Sequence, residues 1–209
     1  STSDLKSLDQ ISERAPKHKS SIIVIGTSTG GPKTLKTILK NLSADFPIPI
    51  LIVQHMDEFF MHSLAKSLDD ICPLRVKIPR KNEMITSGNI YLAPGNKHMK
   101  VFLKSHIPCI RLEDGEEVNF CKPSIDVLFR SAAKIFKAKT IGILLTGLGK
   151  DGVDGLQDIK KYGGITIAES KETSIVYGMP KAAAERGVAQ IITPSYKIKD
   201  LLIRFAHNN

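Results

Sequence analysis

Residues 21–39 read SIIVIGTSTGGPKTLKTIL, and three textures follow one another within them. Ile22, Ile23, Val24 and Ile25 form a continuous apolar, β-branched run, the pattern of a strand buried on both faces of a parallel sheet. Gly26-Thr27-Ser28-Thr29-Gly30-Gly31 reads as a sharp turn. Pro32 then stands where a first helical residue belongs, with Leu35, Ile38 and Leu39 at helical spacing behind it. A strand that turns tightly into a helix N-terminus delivers the turn's side chains and amides to the carboxyl edge of the sheet, where open α/β sheets place ligands.

The alternation continues outward. Residues 47–53, PIPILIV, read as a second buried strand ending in Gln54-His55-Met56, and a helix follows over 59–68. The texture changes between 74 and 112, where short strands at 89–92, 99–103 and 108–112 are separated by Ser87-Gly88, Pro94-Gly95-Asn96 and Lys104-Ser105 turns. Helix returns over 123–136, a third buried strand spans 140–145, and a helix runs from the following glycine-rich loop to about Tyr162. A strand over 165–168, a helix from Pro180 to Arg186, a strand over 188–192 and a helix over 198–205 complete the chain. The expected fold is therefore α/β: a doubly wound, mostly parallel sheet flanked by helices on both faces, with a short antiparallel β ribbon inserted near residues 88–112. Residues 1–20 are polar, with Leu5, Leu8 and Ile11 as their only aliphatic anchors, and read as a linker.

The composition narrows the function class. Lys and Arg total 30 against 21 Asp and Glu, for a net charge of +9. These basic residues are scattered, with no aromatic-rich basic segment, so nucleic acid is not the expected partner. Cys72, Cys109 and Cys121 are odd in number and form no C-x-x-C pair, the usage of a cytoplasmic protein with reduced thiols rather than of a disulfide framework or zinc site. No apolar run approaches the about 18 residues of a membrane span, so no direct membrane insertion is expected. The chain opens on Ser1 instead of Met, which reads as a processed or excised piece.

Gly26-Thr27-Ser28-Thr29-Gly30 matches G-x-S-x-G, the pattern that lifts a nucleophilic serine out of a sheet. A competing reading is available. Gly26-x4-Gly31-Pro32-Lys33-Thr34 is one residue away from the phosphate-binding pattern G-x-x-x-x-G-K-[ST], but Pro32 shifts Lys33 off register and removes a backbone donor. A serine nucleophile needs a base within hydrogen-bond reach and an acid to orient that base. His55 follows the second buried strand and Asp151 the third, so both belong at the same sheet edge as Ser28; His98 and Asp154 are the substitutes. The chain order Ser, His, Asp departs from the Ser, acid, His order of α/β-hydrolases. No H-x-x-x-H, H-E-x-x-H or cysteine pair signals a metal, and no cofactor is expected.

Taken together, IGTSTGGP, VQHM, YLAPGNKHM, KPSIDVLF, LLTGLGKDGVDGL and VYGMPKAA resemble the catalytic domain of the bacterial chemotaxis protein-glutamate methylesterases. The resemblance covers about nine tenths of the chain and places that family's serine, histidine and aspartate on Ser28, His55 and Asp151. Thr27 stands where alanine is common, and Leu148 where methionine is common. The resemblance implies a cytoplasmic hydrolase that removes methyl esters from glutamates on the acidic cytoplasmic helices of chemoreceptors, releases methanol and also deamidates receptor glutamines. It implies that residues 21–209 are the catalytic domain, and that an N-terminal receiver domain precedes the linker in the full-length protein but is absent here. The backbone N–H groups near Thr29 and Leu148 are the expected oxyanion donors. The net charge of +9 fits docking on carboxylate-rich helices.

Overall fold

The computed structural model describes residues 20–207; the linker expected over 1–20 lies, Ser20 apart, outside them. β1 (Ile22–Thr27) is the middle strand of a seven-stranded sheet and is buried at every position. It leads into α1 (Gly31–Leu39), then β2 (Ile50–Gln54), α2 (Glu58–Asp69), β3 (Arg75–Lys77) and β4 (Asn89–Leu92). A hairpin of β5 (His98–Lys104) and β6 (Ile107–Glu113) precedes α3 (Ile125–Phe136) and β7 (Thr140–Leu144). The chain closes with α4 (Val153–Lys161), β8 (Ile165–Glu169), α5 (Met179–Glu185), β9 (Ile191–Thr193) and α6 (Ser195–His207).

The sheet order is β3-β4-β2-β1-β7-β8-β9, and every pairing in it is parallel. Alternation along β1 sends side chains into two separate cores. Ile23 and Ile25 join Leu35 and Ile38 of α1, Leu64 of α2 and Leu202 of α6 on one face. Ile22 and Val24 meet Leu128 and Phe129 of α3 and Leu156 of α4 on the other. A strand wet on neither face has no use for polar alternation, which is why its sequence is continuously apolar. Removing a large side chain from either core, such as Phe129, costs about 3–5 kcal/mol, because the surroundings relax only partly around the cavity.

Two expectations are corrected. Residues 89–92 do not belong to the ribbon: β4 pairs in parallel with both β2 and β3, and only β5 and β6 form the antiparallel pair. Tyr91 explains the placement, since it is 1% exposed and packs in the same core as Leu51 and Val53 of β2. The last strand begins at Ile191 and not at residue 188, because the Val188 N–H is taken by the Ala183 carbonyl at 3.1 Å and finishes α5.

After β1 the chain moves outward through β2, and it returns much later to the other side of β1 as β7. This reversal opens a crevice at the carboxyl ends of neighbouring strands. Ser28, His55 and Asp151 all follow those ends.

Candidate active site

Register brings the three loops together: Thr27 pairs with Gln54 and Gly26 with Leu144, so the segments leaving β2, β1 and β7 lie side by side. The Ser28 N–H donates to the Thr146 carbonyl at 2.9 Å, and the Ser28 carbonyl accepts from the Gly31 N–H at 2.9 Å. Gln54 Nε2 donates to the Ser28 carbonyl at 2.8 Å and to the His55 carbonyl at 3.1 Å. One buried amide thus ties the serine turn to the histidine loop. The His55 N–H closes the same junction on the Thr27 carbonyl at 3.0 Å.

The two glycines of the G-x-S-x-G pattern have different tasks. Gly30 has φ +85°, a left-handed conformation that costs glycine nothing and lets the chain swing into α1. Gly26 is ordinary strand. A Cβ there would lie 2.3 Å from Ile125 Cγ2, so the glycine admits the start of α3 against β1.

That close approach positions the acid. Asp151 is 3% exposed and sits at the N-terminus of α3. Its Oδ1 accepts from Ser124 Oγ at 2.8 Å, Asn119 Nδ2 at 2.9 Å and the Asp126 N–H at 3.2 Å. Its Oδ2 accepts from the Ile125 N–H at 2.7 Å and stands 2.8 Å from His55 Nε2. Burial pushes this carboxyl's pKa up, but the hydrogen bonds from His55, Asn119 and the Ile125 N–H outweigh it and hold the pKa below the usual carboxylate range. Asp151 is therefore an ionised, fully bonded carboxylate, and the helix N-terminus adds a favourable field.

With Nε2 turned to Asp151, Nδ1 is the His55 nitrogen that faces away from the carboxylate. Cys121 Sγ lies 3.8 Å from Nδ1. Ser28 itself is partly exposed in its turn.

A second layer holds these groups still. Asn119 Nδ2 also donates to Asp126 Oδ2 at 2.7 Å, and Asp126 Oδ1 accepts the Gly155 N–H at 2.6 Å, clamping α3 to α4. Burial raises the Asp126 pKa against that bond, and the charge on Asp151 raises it further. On the serine side, Glu169 is fully buried and its Oε2 accepts the Thr146 N–H at 2.8 Å. Burial raises the Glu169 pKa, while the Thr146 N–H and Thr173 hydroxyl oppose the rise.

The other expected residues separate clearly. His98 is buried, with Nδ1 accepting from the Ser124 N–H at 3.1 Å and Nε2 2.8 Å from the Glu116 carbonyl; it braces Ser124 and does not line the crevice. Asp154 is half exposed and paired with Arg130 and Arg186. Thr29 is exposed in the serine turn, where its carbonyl accepts from Thr146 Oγ1 at 2.9 Å. Leu148 is 75% exposed and follows Gly147, where an added Cβ would lie 2.6 Å from Ser28 Cβ. Lys33 is exposed on α1, and the amides of Ser28, Gly31 and Thr34 are already bonded to carbonyls, which leaves the turn poorly equipped to cradle a phosphate.

Gln54, Asn119, Cys121, Ser124, Asp126, Thr146 and Glu169 were not legible as site residues. Gln54 had a signal, standing between a buried strand and His55. The others act through contacts across the fold that no spacing in the chain encodes.

A protein-family model described as CheB methylesterase matches residues 23–202. The chain is 43% identical over 188 residues to a protein-glutamate methylesterase/protein-glutamine glutaminase of Thermotoga maritima, an alignment covering 90% of this chain and 55% of that protein. It is 46% identical over 198 residues to a protein of the same name from Caldanaerobacter subterraneus subsp. tengcongensis, covering 93% and 54% respectively. The crystal structure of the Thermotoga maritima CheB methylesterase catalytic domain superposes with a TM-score of 0.87 at 43% identity, covering 90% of this chain and 99% of that one. The chain spans about half the length of the curated relatives it matches.

Proposed function

Because this chain belongs to the CheB methylesterase family, we propose that it hydrolyses methyl esters of glutamate side chains on the cytoplasmic helices of chemoreceptors, releasing methanol, and deamidates receptor glutamines. Its place is the adaptation step of chemotaxis in the cytoplasm. Residues 21–209 form the catalytic domain, and the full-length protein carries a receiver domain ahead of the linker. The observation that carries this reading is the 2.8 Å contact of His55 Nε2 with the buried Asp151 carboxylate, at the sheet edge where the Ser28 turn emerges.

Ser28 Oγ attacks the ester carbonyl while His55 Nδ1 takes its proton. Asp151 keeps the Nε2–H tautomer and stabilises the imidazolium that forms. The oxyanion is received by backbone N–H groups at Thr29 and Leu148. His55 then returns the proton to departing methanol, activates a water, and the acyl-enzyme hydrolyses to glutamate and free Ser28. An amide substrate follows the same path with ammonia leaving. The chemistry calls for no metal or cofactor.

A protein substrate is supported by the apolar side chains around the crevice. Phe59 and Phe60, at the start of α2 just after His55, are 80% and 55% exposed, and Phe120, next to Cys121, is 96% exposed. Leu148 and Ile175, beside the serine turn, are 75% and 54% exposed. Large apolar side chains left exposed on the segments that carry His55, Cys121 and the serine turn suit a surface that meets another macromolecule.

The nucleophile assignment is tested by an active-site-directed fluorophosphonate. One equivalent should attach at Ser28 and labelling should be lost in His55→Ala. Labelling at another residue, or labelling indifferent to His55→Ala, contradicts the assignment.

A further inference from the structure

His55 lies 66 positions from Cys121 and 96 from Asp151 in the chain, yet one ligand atom from each of the three lies within 4.8 Å of the other two. Cys121 Sγ and His55 Nδ1 are separated by 3.8 Å. A tetrahedral zinc ion, with Zn–S about 2.3 Å and Zn–N about 2.05 Å, holds its sulfur and nitrogen ligands about 3.6 Å apart. The observed separation is about 0.2 Å longer than that. The other face of the ring is already arranged as a metal-bound histidine requires: Nε2–H faces Asp151 Oδ2 at 2.8 Å, the carboxylate–histidine pairing that fixes the tautomer and raises the basicity of the ligating nitrogen. Both ligands are partly exposed at the crevice, so an ion has a path in.

We infer that Cys121 Sγ and His55 Nδ1 form a binding site for a thiophilic divalent cation, Zn²⁺ in the first instance, and that the bound ion shuts the enzyme off. Coordination involves no change of oxidation state. The nitrogen donates its lone pair, the thiol loses its proton to solvent, and the thiolate takes the second position, leaving the remaining positions to water. Burial pushes the free Cys121 thiol up to about 11, with the charges of Asp151, Glu117 and Asp126 adding to the rise, so the ion and not the surroundings must supply the driving force for deprotonation. Soft thiolate paired with imidazole selects Zn²⁺ over Mg²⁺ or Ca²⁺. The inhibitory consequence rests on the proposed role of His55, because an ion on Nδ1 occupies the lone pair that would take the Ser28 proton; the binding itself does not depend on that role.

Co²⁺ serves as the spectroscopic probe of the zinc site. Titration of the reduced chain should produce a near-ultraviolet thiolate-to-cobalt charge-transfer band that saturates at one equivalent and is bleached by Zn²⁺. Cys121→Ser should abolish the band, and His55→Ala should weaken Co²⁺ binding by more than about tenfold through loss of the imidazole ligand. In the unsubstituted chain, Zn²⁺ should also slow alkylation of Cys121 by iodoacetamide, read by mass spectrometry. No band with Co²⁺, a band that persists in Cys121→Ser, or alkylation of Cys121 indifferent to Zn²⁺ would overturn the site. These readouts are independent of ester hydrolysis, so failure of the proposed activity and failure of the metal site are told apart.

Discussion

Asp151 shows how much of the site is decided one residue at a time. Five donors converge on its two oxygens, three of them from the first residues of α3 and the segment that caps it. An Asn side chain there would turn an NH2 group toward one set of donors, and backbone N–H groups cannot reverse to receive it. Asp151→Asn should therefore lower kcat by about 10³–10⁴-fold through loss of the tautomer and of imidazolium stabilisation, while circular dichroism reports an intact fold. The pH dependence follows from the depressed carboxyl. A group whose folded pKa lies below its unfolded value of about 3.9 contributes stability that is fully present above that value and lost as pH falls through the lower folded value. The carboxylate should thus survive below pH ~4, visible as an ionised Asp151 carboxyl resonance; a midpoint at or above the ordinary value contradicts the bonding pattern described. At this scale Ser28, His55 and Asp151 stand out as candidates because each follows a strand or a glycine-rich turn that announces itself. Asn119 was not. Its side chain matters because it bridges Asp126 and Asp151, and a single exposed loop amide among Glu116, Glu117 and Phe120 carries no mark of that in the chain.

Among the elements, β1 and α3 depend on one another. Gly26 lets Ile125 pack against the strand, and the Ile125 N–H in turn reaches Asp151. Gly26→Ala would set a methyl 2.3 Å from Ile125 Cγ2, and Ile125 is itself fully buried. It should destabilise the protein by about 1–3 kcal/mol in urea denaturation and lower kcat further than a remote change of equal stability cost, because the α3 N-terminus moves with Ile125. Unaltered kcat in a destabilised Gly26→Ala variant would break the link between helix position and Asp151. The buried strands were readable as uninterrupted β-branched runs, and the helices by their spacing. Two edges were not. The sequence NIYL of β4 is as short as a ribbon strand, and only its partners, β2 on one side and β3 on the other, make it part of the sheet. Val188 belongs to an apolar run that resembles a strand start, but its N–H is spent on α5.

For the molecule as a whole, a doubly wound sheet with its switch point at β1 places every chemical group at one edge and surrounds it with exposed aromatic and aliphatic side chains. Those side chains carry no reacting group, so they should serve a large substrate and be indifferent to a small one. Replacing both Phe59 and Phe120 by Ser should raise KM for a methylated receptor fragment by about tenfold, as expected for loss of aromatic anchors, and leave turnover of a small activated ester nearly unchanged. Equal effects on both substrates would mean that the pair shapes the catalytic centre instead. The architecture was legible in the order of strands and helices, whereas this rim was not, since a chain does not reveal which of its phenylalanines the fold leaves outside. The proposed function requires that Ser28, activated by His55 and Asp151, cleaves glutamyl methyl esters. Its most direct test is methanol release from a methylated chemoreceptor fragment, with this chain compared against its Ser28→Ala form. Release by the unsubstituted chain and none by a correctly folded Ser28→Ala is the predicted result; no release from the unsubstituted chain, or release unaltered in Ser28→Ala, would contradict it.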